Sequence, residues 1–516
     1  MKKLLTLCMS AVLLLTAIPL SACGGSDETQ EPAESTDTSN TVQIVKDAAS
    51  EFVIVRSNSS SKDSLEKTAS FRLQTIISDA TGVKLERKTD VILYTDDASA
   101  HENAKEILIG STNRKESESA LAELAFNEYI IKVDGPKIVI CGACEKATLQ
   151  AVEYFGANYV VAGEVLEIPS DLMVKGYVDM TVSSETGVSY EDMGDRILEA
   201  YADEFIDRQG SLKGTEFWDT AEILEAFIDA YEQTGKEQYL KYAENIAKNH
   251  FKADESRVNW CGSNAFNDDI AWLCIGLTRL YNLTGNRTYL TIAKNNFNSM
   301  WDRAYSPDVL GGGLWWKDDQ KTCKNSCIQC PASIAACLIG KASGDDSYYE
   351  KAKEIMEWEF ETLFEESTGK VYDSINTDGT YNYWASTYNQ GTFVGACTLL
   401  HEKYGDQKYL DYAAKAVEYG MTKLDNKDGV LNGEASGADL IGFKGILTRW
   451  FYRYAQYTND LDVLGWLQKN ADVAFSNRNS SDIVWTAWAD KTLDQDYDPW
   501  GCSAAIALMF NCEPWW

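Results

Sequence analysis

The sequence predicts an all-α (α/α)6 toroid preceded by a small α+β domain, and three observations carry that prediction. First, the chain repeats from about residue 190 onward: "YEQTGKEQYLKYAENI", "YNLTGNRTYLTIAKNN", "GKASGDDSYYEKAKEI", "HEKYGDQKYLDYAAKA" and "AQYTNDLDVLGWLQKN" each end one helix, turn, and start another. The turns at Gly235, Gly285, Gly344, Gly405 and Asn459 lie 50, 59, 61 and 54 residues apart, enough for one helical hairpin and a loop. Second, the helices sort into two kinds. Runs at 221–231, 270–281, 332–342, 392–404, 444–458 and 503–511 are apolar on most sides, as buried helices are. Runs near 195–209, 237–250, 287–301, 347–363, 407–423 and 461–476 carry charge on one side only. Six inner helices alternating with six outer ones suit a closed ring better than an open solenoid. Third, the stretch from 45 to 185 mixes strand and helix patterns instead of repeating.

At the start, "MKKLLTLCMSAVLLLTAIPLSAC" has two lysines, an apolar run and small residues before a cysteine, so residues 1–22 read as a signal peptide. The run Leu20-Ser21-Ala22-Cys23 resembles the lipobox of bacterial lipoproteins, which implies cleavage before Cys23 and acylation of its sulfur. Residues 23–44 continue as an acidic, apolar-poor tether, and the expected location is the bacterial cell surface, with a lipid anchor as the only membrane contact. Within 45–185, "FVIVRS" (52–57), "VILY" (91–94) and "EILIGS" (106–111) read as strands. Residues 65–82 have helical periodicity and a glycine stop. Two alternating runs across Asp134-Gly135 signal a hairpin, and a helix follows from Glu145. This order is similar to the accessory domains that precede the catalytic domains of glycoside hydrolase families 20 and 67.

The formal charge of −32 disfavours nucleic acid and anionic lipid surfaces as partners. Of thirteen cysteines, Cys274, Cys337 and Cys397 sit in apolar helical runs as small core residues. Cys323, Cys327 and Cys330 lack the partners and spacing of a metal site, and Cys141-x-x-Cys144 has no second pair, so neither a metal nor another cofactor is expected.

Alternation makes all six inner helices run the same way, so their N-termini share one end. The residues entering them, "EFWDTAE", "FNDDIAW", "IQCPAS", "YNQGTF", "GFKGIL" and "DPWGCS", are rich in aromatics, amides and acids, as a carbohydrate cleft would be. Two long loops, "GGGLWW" (311–316) and "VYDSINTDGTYNYW" (371–384), precede two of these entrances. Adjacent aspartates occur at 96–97, 268–269, 318–319 and 345–346, but only Asp268-Asp269 opens a nearly all-apolar inner helix. Capping and the helix dipole would account for one of them. They hardly account for both.

In this order and within this repeat, "FNDDIAW", "GGGLWW", "TYNQG" and "FKGI" resemble family 76 of the glycoside hydrolases, the endo-α-1,6-mannanases, over roughly 190–516. The resemblance implies an (α/α)6 barrel hydrolysing α-mannan with retention, Asp268 as nucleophile and Asp269 as general acid/base. Retention calls for two carboxyls about 5–5.5 Å apart, and adjacent like charges push their pKa values apart. Asn267, Asn389 and Gln390 are expected to bond sugar hydroxyls, and Trp315, Trp316 and Tyr388 to offer platforms. Asp373 is expected at the −1 sugar, with Lys444 touching substrate or balancing the acids. The cysteine-rich "CKNSCIQCPAS" departs from the small or amide residues expected there. A monomer acting on a polysaccharide or oligosaccharide is expected. The competing readings are a transglycosylase and a glycan-binding lipoprotein without turnover. An epimerase toroid would need histidine pairs, and none of His101, His250 and His401 belongs to an inner-helix entrance.

Overall fold

The computed structural model describes residues 40–58, 64–92, 101–125, 127–434 and 440–516. The signal segment, Cys23 and most of the tether lie outside the described residues. Strands β1 (Thr41–Val45), β2 (Val53–Arg56), β3 (Glu86–Thr89), β4 (Glu106–Ile109), β5 (Glu128–Asp134), β6 (Lys137–Gly142), β7 (Leu166–Pro169) and β8 (Met173–Tyr177) belong to the N-terminal domain. Six of them form one sheet in the order β3-β2-β4-β6-β5-β8, parallel from β3 to β6 and antiparallel at β5 and β8. Asp134 pairs with Lys137 across a two-residue turn, where Gly135 takes φ 58°. β1 and β7 pair separately.

Alternate residues face opposite sides of the sheet. Ile54, Ile107 and Ile109 pack under α1 (Leu65–Thr81), while Val55, Leu108 and Val139 pack with Ala120 of α2 (Lys115–Leu121) on the other face. A strand buried on both faces reads as a continuous apolar run, as "EILI" does. One expectation needs correction. The strand beside β2 is the polar Glu86–Thr89, not 91–94; Val91 and Ile92 fall beyond it and are 41% and 44% exposed. Leu93 and Tyr94 lie outside the described residues. An edge strand bonds on one side only and tolerates charge, so its apolar signal is weak.

Helix α3 (Glu145–Tyr159) docks this domain on the toroid: the Glu145 N–H donates to Asp462 Oδ1 at 2.7 Å and Lys146 Nζ to Gln468 Oε1 at 2.8 Å. The toroid comprises outer helices α4 (Tyr190–Phe205), α6 (Glu237–Phe251), α8 (Arg287–Ala304), α10 (Ser347–Thr362), α12 (Gln407–Lys423) and α14 (Leu461–Ser476). They alternate with inner helices α5 (Phe217–Thr234), α7 (Asn267–Thr284), α9 (Ser326–Ser343), α11 (Thr387–Tyr404), α13 (Phe443–Thr458) and α15 (Pro499–Phe510). Each inner helix packs on the next, and α15 packs back on α5, so the ring closes. The five sequence turns are left-handed helix caps: Gly235, Gly285, Gly344, Gly405 and Asn459 have φ from 60° to 69°. Gly391 marks the closest approach of α11 to α13, since a Cβ there would come within 2.5 Å of Leu447 Cα. Short strands β9 (Cys323–Asn325), β10 (Phe364–Glu365), β11 (Lys370–Val371), β12 (Ser374–Asn376) and β13 (Tyr381–Asn382) lie in the loops between toroid helices. β9, β12 and β13 form one three-stranded sheet leading into α9 and α11. Among the described residues no helix is long and apolar enough to cross a membrane.

Candidate active site

Helix α7 starts with Phe266 at the N-cap position, and no side chain caps it. Asp268 and Asp269 occupy its first turn, so capping does not explain either. Asp268 Oδ2 accepts two hydrogen bonds, from Trp316 Nε1 at 3.0 Å and from Cys327 Sγ at 3.2 Å. Its other oxygen, Oδ1, is buried and accepts none. Burial pushes the Asp268 pKa up to about 6, against the lowering by Cys327, Trp316 and the first backbone amides of the helix. Asp269 Oδ2 accepts from Asn264 Nδ2 at 2.7 Å. The other described Asp-Asp pairs are ordinary surface features. Asp318 and Asp319 pair with Lys321 and Lys317, and Asp345 bonds the Ser347 hydroxyl and N–H.

The loop that delivers Trp316 is pinned from below by Lys324, a fully buried amine. Its Nζ donates to the carbonyls of Ser306 at 3.0 Å, Val309 at 2.6 Å and Gly312, and lies 4.7 Å from the Trp315 ring centre. No carboxylate salt-bridges it among the described residues, and burial lowers its pKa to about 8. Gly313, with φ 80°, lies against the Trp358 ring, where a Cβ would come within 2.8 Å. Opposite this loop, Asp373 Oδ2 accepts from Ser374 Oγ and Asn382 Nδ2, both at 2.9 Å, and burial raises its pKa. Asp268, Asp373 and Cys327 all stand near enough to the Tyr388 hydroxyl to raise its pKa beyond the effect of burial.

The sequence profile of glycosyl hydrolase family 76 matches residues 190–511, the whole toroid up to its last helix. The chain belongs to glycosyl hydrolase family 76. Family 76 relatives include a mannan endo-1,6-α-mannosidase of Candida albicans, 26% identical over 44% of this chain. The chain spans about half of that protein, 55% of its length. The α-1,6-mannanase GH76A of Salegentibacter sp. HEL1_6 is 28% identical, with a TM-score of 0.57 over 63% of this chain and 99% of that one. A solved protein from Listeria innocua is 25% identical, with a TM-score of 0.57 over 62% and 96%. Variants of the Salegentibacter enzyme with two consecutive aspartates replaced are inactive and were solved with α-1,6-mannotriose and α-1,6-mannotetrose.

Of the residues expected at a family 76 cleft, the structure gathers Asp268, Asp269, Trp316, Asp373, Tyr388 and Asn389. Trp316 serves through its indole N–H, and its ring leans on Phe266 at 5.2 Å. Asn389 stands beside Asp373, fully buried, with its amide near enough to favour the Asp373 carboxylate against the effect of burial. Three expectations are corrected, and for Lys444 only the contact with substrate is. Asn267 is fully buried; it donates to Trp315 O at 2.8 Å and accepts from Arg303 Nε at 2.7 Å, leaving nothing for a sugar. Trp315 is 5% exposed and packs on Lys324. Gln390 is spent on Val371 N, Gly369 O and Ala416 O. Lys444 is fully buried over the Trp488 ring at 3.9 Å and donates to Thr486 O. The acid it faces is Glu434, and burial brings its own pKa down to about 7. Tyr388 is only 8% exposed, its ring against Phe443 at 4.0 Å, so it offers no open face as a platform. Sequence reasoning missed Cys327, Asn264 and Asn382, although the departure at "CKNSCIQCPAS" pointed to the first. The eleven described cysteines are all unpaired, and burial raises the Cys141 and Cys144 thiols to about 12, which gives them no thiolate character.

Proposed function

We propose that the protein is a retaining endo-α-1,6-mannanase, held at the bacterial surface by a lipid on Cys23. The observation that carries this reading is the Asp268-Asp269 pair at the mouth of an inner helix, with Asp268 held by two donors and one oxygen free. Two donors on a carboxylate stabilise its charge and fix its direction, as a nucleophile requires. In the double displacement, Asp268 bonds to the anomeric carbon as the glycosidic C–O bond breaks. Asp269 gives its proton to the leaving oxygen, then takes one from the water that releases the sugar. The inactive aspartate variants of the Salegentibacter enzyme, solved with α-1,6-linked ligands, support both the pair and the linkage.

The test incubates the purified protein with linear α-1,6-mannan and sizes the products, following the anomer by NMR. Short oligosaccharides released with retention are expected; no cleavage sinks the hydrolase reading. Cleavage only of α-1,2- or α-1,3-mannan refutes the linkage, and longer products than substrate would identify a transglycosylase. Cys23→Ala should release the protein into the medium. Because Asp268 must be ionised to attack, kcat/KM is expected to fall about tenfold per pH unit below about 6.

Two neighbours on α11 should separate binding from scaffolding. Asn389→Ala is expected to cost about 1 kcal/mol of stability, since the amide bonds no backbone and faces only Asp373, while lowering kcat/KM on mannan about tenfold. Gln390→Ala strands a backbone N–H and two carbonyls, and is expected to destabilise by about 2–4 kcal/mol in urea unfolding.

A further inference from the structure

We propose that Cys327 is a positioning residue for the nucleophile: its thiol, with the Trp316 indole, holds Asp268 Oδ2 so that Oδ1 is the attacking atom. This deepens the hydrolase reading and rests on it for the word nucleophile. The geometry is specific. Two donors arrive at one oxygen from two different elements, the 311–316 loop and the first turn of α9, at 3.0 and 3.2 Å. The second oxygen, which no side chain holds, is the one left to react. Cys327 is 6% exposed, and burial with the nearby Asp268 and Asp373 raises its pKa well above that of a free thiol. It therefore stays an S–H donor through the working range and never competes as a thiolate. The other titratable groups facing Asp268 are Asp269 on its own helix and Tyr388 on α11, with Asp373 and Cys323 on the loop side of Cys327.

An S–H donor to a carboxylate favours the ionised form, so its loss should make Asp268 harder to ionise. Cys327→Ala is expected to move the acid limb of kcat/KM up by about 0.5–1 pH unit, with KM little changed. Cys327→Ser keeps a donor and should lie between the alanine variant and wild type. A packing role alone would lower stability and leave the limb in place. The second readout needs neither turnover nor a Cys327 variant. The S–H stretch falls in a clear infrared window, and a thiol bonded to a carboxylate shifts when that carboxylate takes a proton. Wild-type protein should show an S–H band moving as pH crosses about 6, apart from that of Cys330, whose partner Glu359 titrates near 8, and Asp268→Asn should abolish the movement near 6 alone. An acid limb unmoved in Cys327→Ala, or no S–H band moving near pH 6, overturns the proposal. If wild type leaves α-1,6-mannan intact, the hydrolase reading falls by itself. The infrared titration then still decides whether Cys327 holds Asp268.

Discussion

Replacing Asp268 by asparagine is expected to abolish cleavage of α-1,6-mannan, by about three orders of magnitude or more, and to make the protein more stable at neutral pH. The first effect follows from removing the nucleophile. The second follows from burial. The folded pKa of Asp268 is raised to about 6 from an ordinary 3.8, so the carboxylate is neutral in both states below about pH 4 and costs nothing there. Between about pH 4 and 6 the unfolded chain ionises while the folded carboxyl stays neutral, so the cost accumulates there and levels off above 6. At pH 7 this penalty is of order 1–3 kcal/mol. Asparagine keeps an oxygen for Trp316 and Cys327 without the charge. Calorimetry at pH 7 should show a rise of a few degrees in Tm, shrinking towards zero at pH 4. Asp269→Asn should fail differently. An aryl mannoside whose leaving group needs no proton should still form the glycosyl-enzyme with Asp269→Asn and not with Asp268→Asn. The reverse result would exchange the two roles.

The toroid was legible because each of its units carries a complete local instruction. A glycine or asparagine able to take φ near 65° ends the inner helix, and an apolar anchor such as Tyr239 or Tyr289 seats the outer one. The aspartate pair was legible only by place, since Asp318-Asp319 has the same spelling and a solvated role. Individual contacts were not. An amide at a helix entrance has the same signature whether it faces a cleft or a loop beneath it, and each step along a helix turns the side chain by about 100°. Asn267 and Gln390 thus look like Asn389 in sequence, yet two are bonded to backbone and one faces the Asp373 carboxylate. Lys324 had no signal at all, because its partners are carbonyls about 12–18 positions earlier, a spacing set by a loop. Cys327 read as an anomaly because thiols suggest oxidation or metals before they suggest a weak donor to a carboxylate.

Replacing Arg449 by methionine is expected to cost about 3–5 kcal/mol of stability. Arg449 of α13 donates Nε to Asp229 Oδ2 at 2.7 Å and Nη1 to Glu222 Oε2 at 2.8 Å, both on α5. From the other side, Arg279 of α7 binds Glu225, Asp229 and Glu232 at 2.6–2.8 Å. All of these groups except Glu232 are at most 3% exposed. Methionine matches much of the arginine stem, so the loss would report charge and not volume. Asp229 would keep Arg279, while Glu222 would lose its only hydrogen-bonded side-chain partner among the described residues. Glu222→Gln offers the contrast. Burial and the neighbouring Glu225 push the Glu222 pKa up to about 8, so the folded carboxyl is mostly neutral at pH 7 while the unfolded one is ionised. A raised folded pKa stabilises below the unfolded value of 4.5, and that benefit is lost as pH rises through 8. Glutamine removes the titration, so it should be neutral at pH 4 and neutral to stabilising at pH 7. Urea unfolding at both pH values would decide. A network held together by full ion pairs predicts that both substitutions hurt at pH 7. Two arginines shared among partly protonated acids predict that only Arg449→Met does.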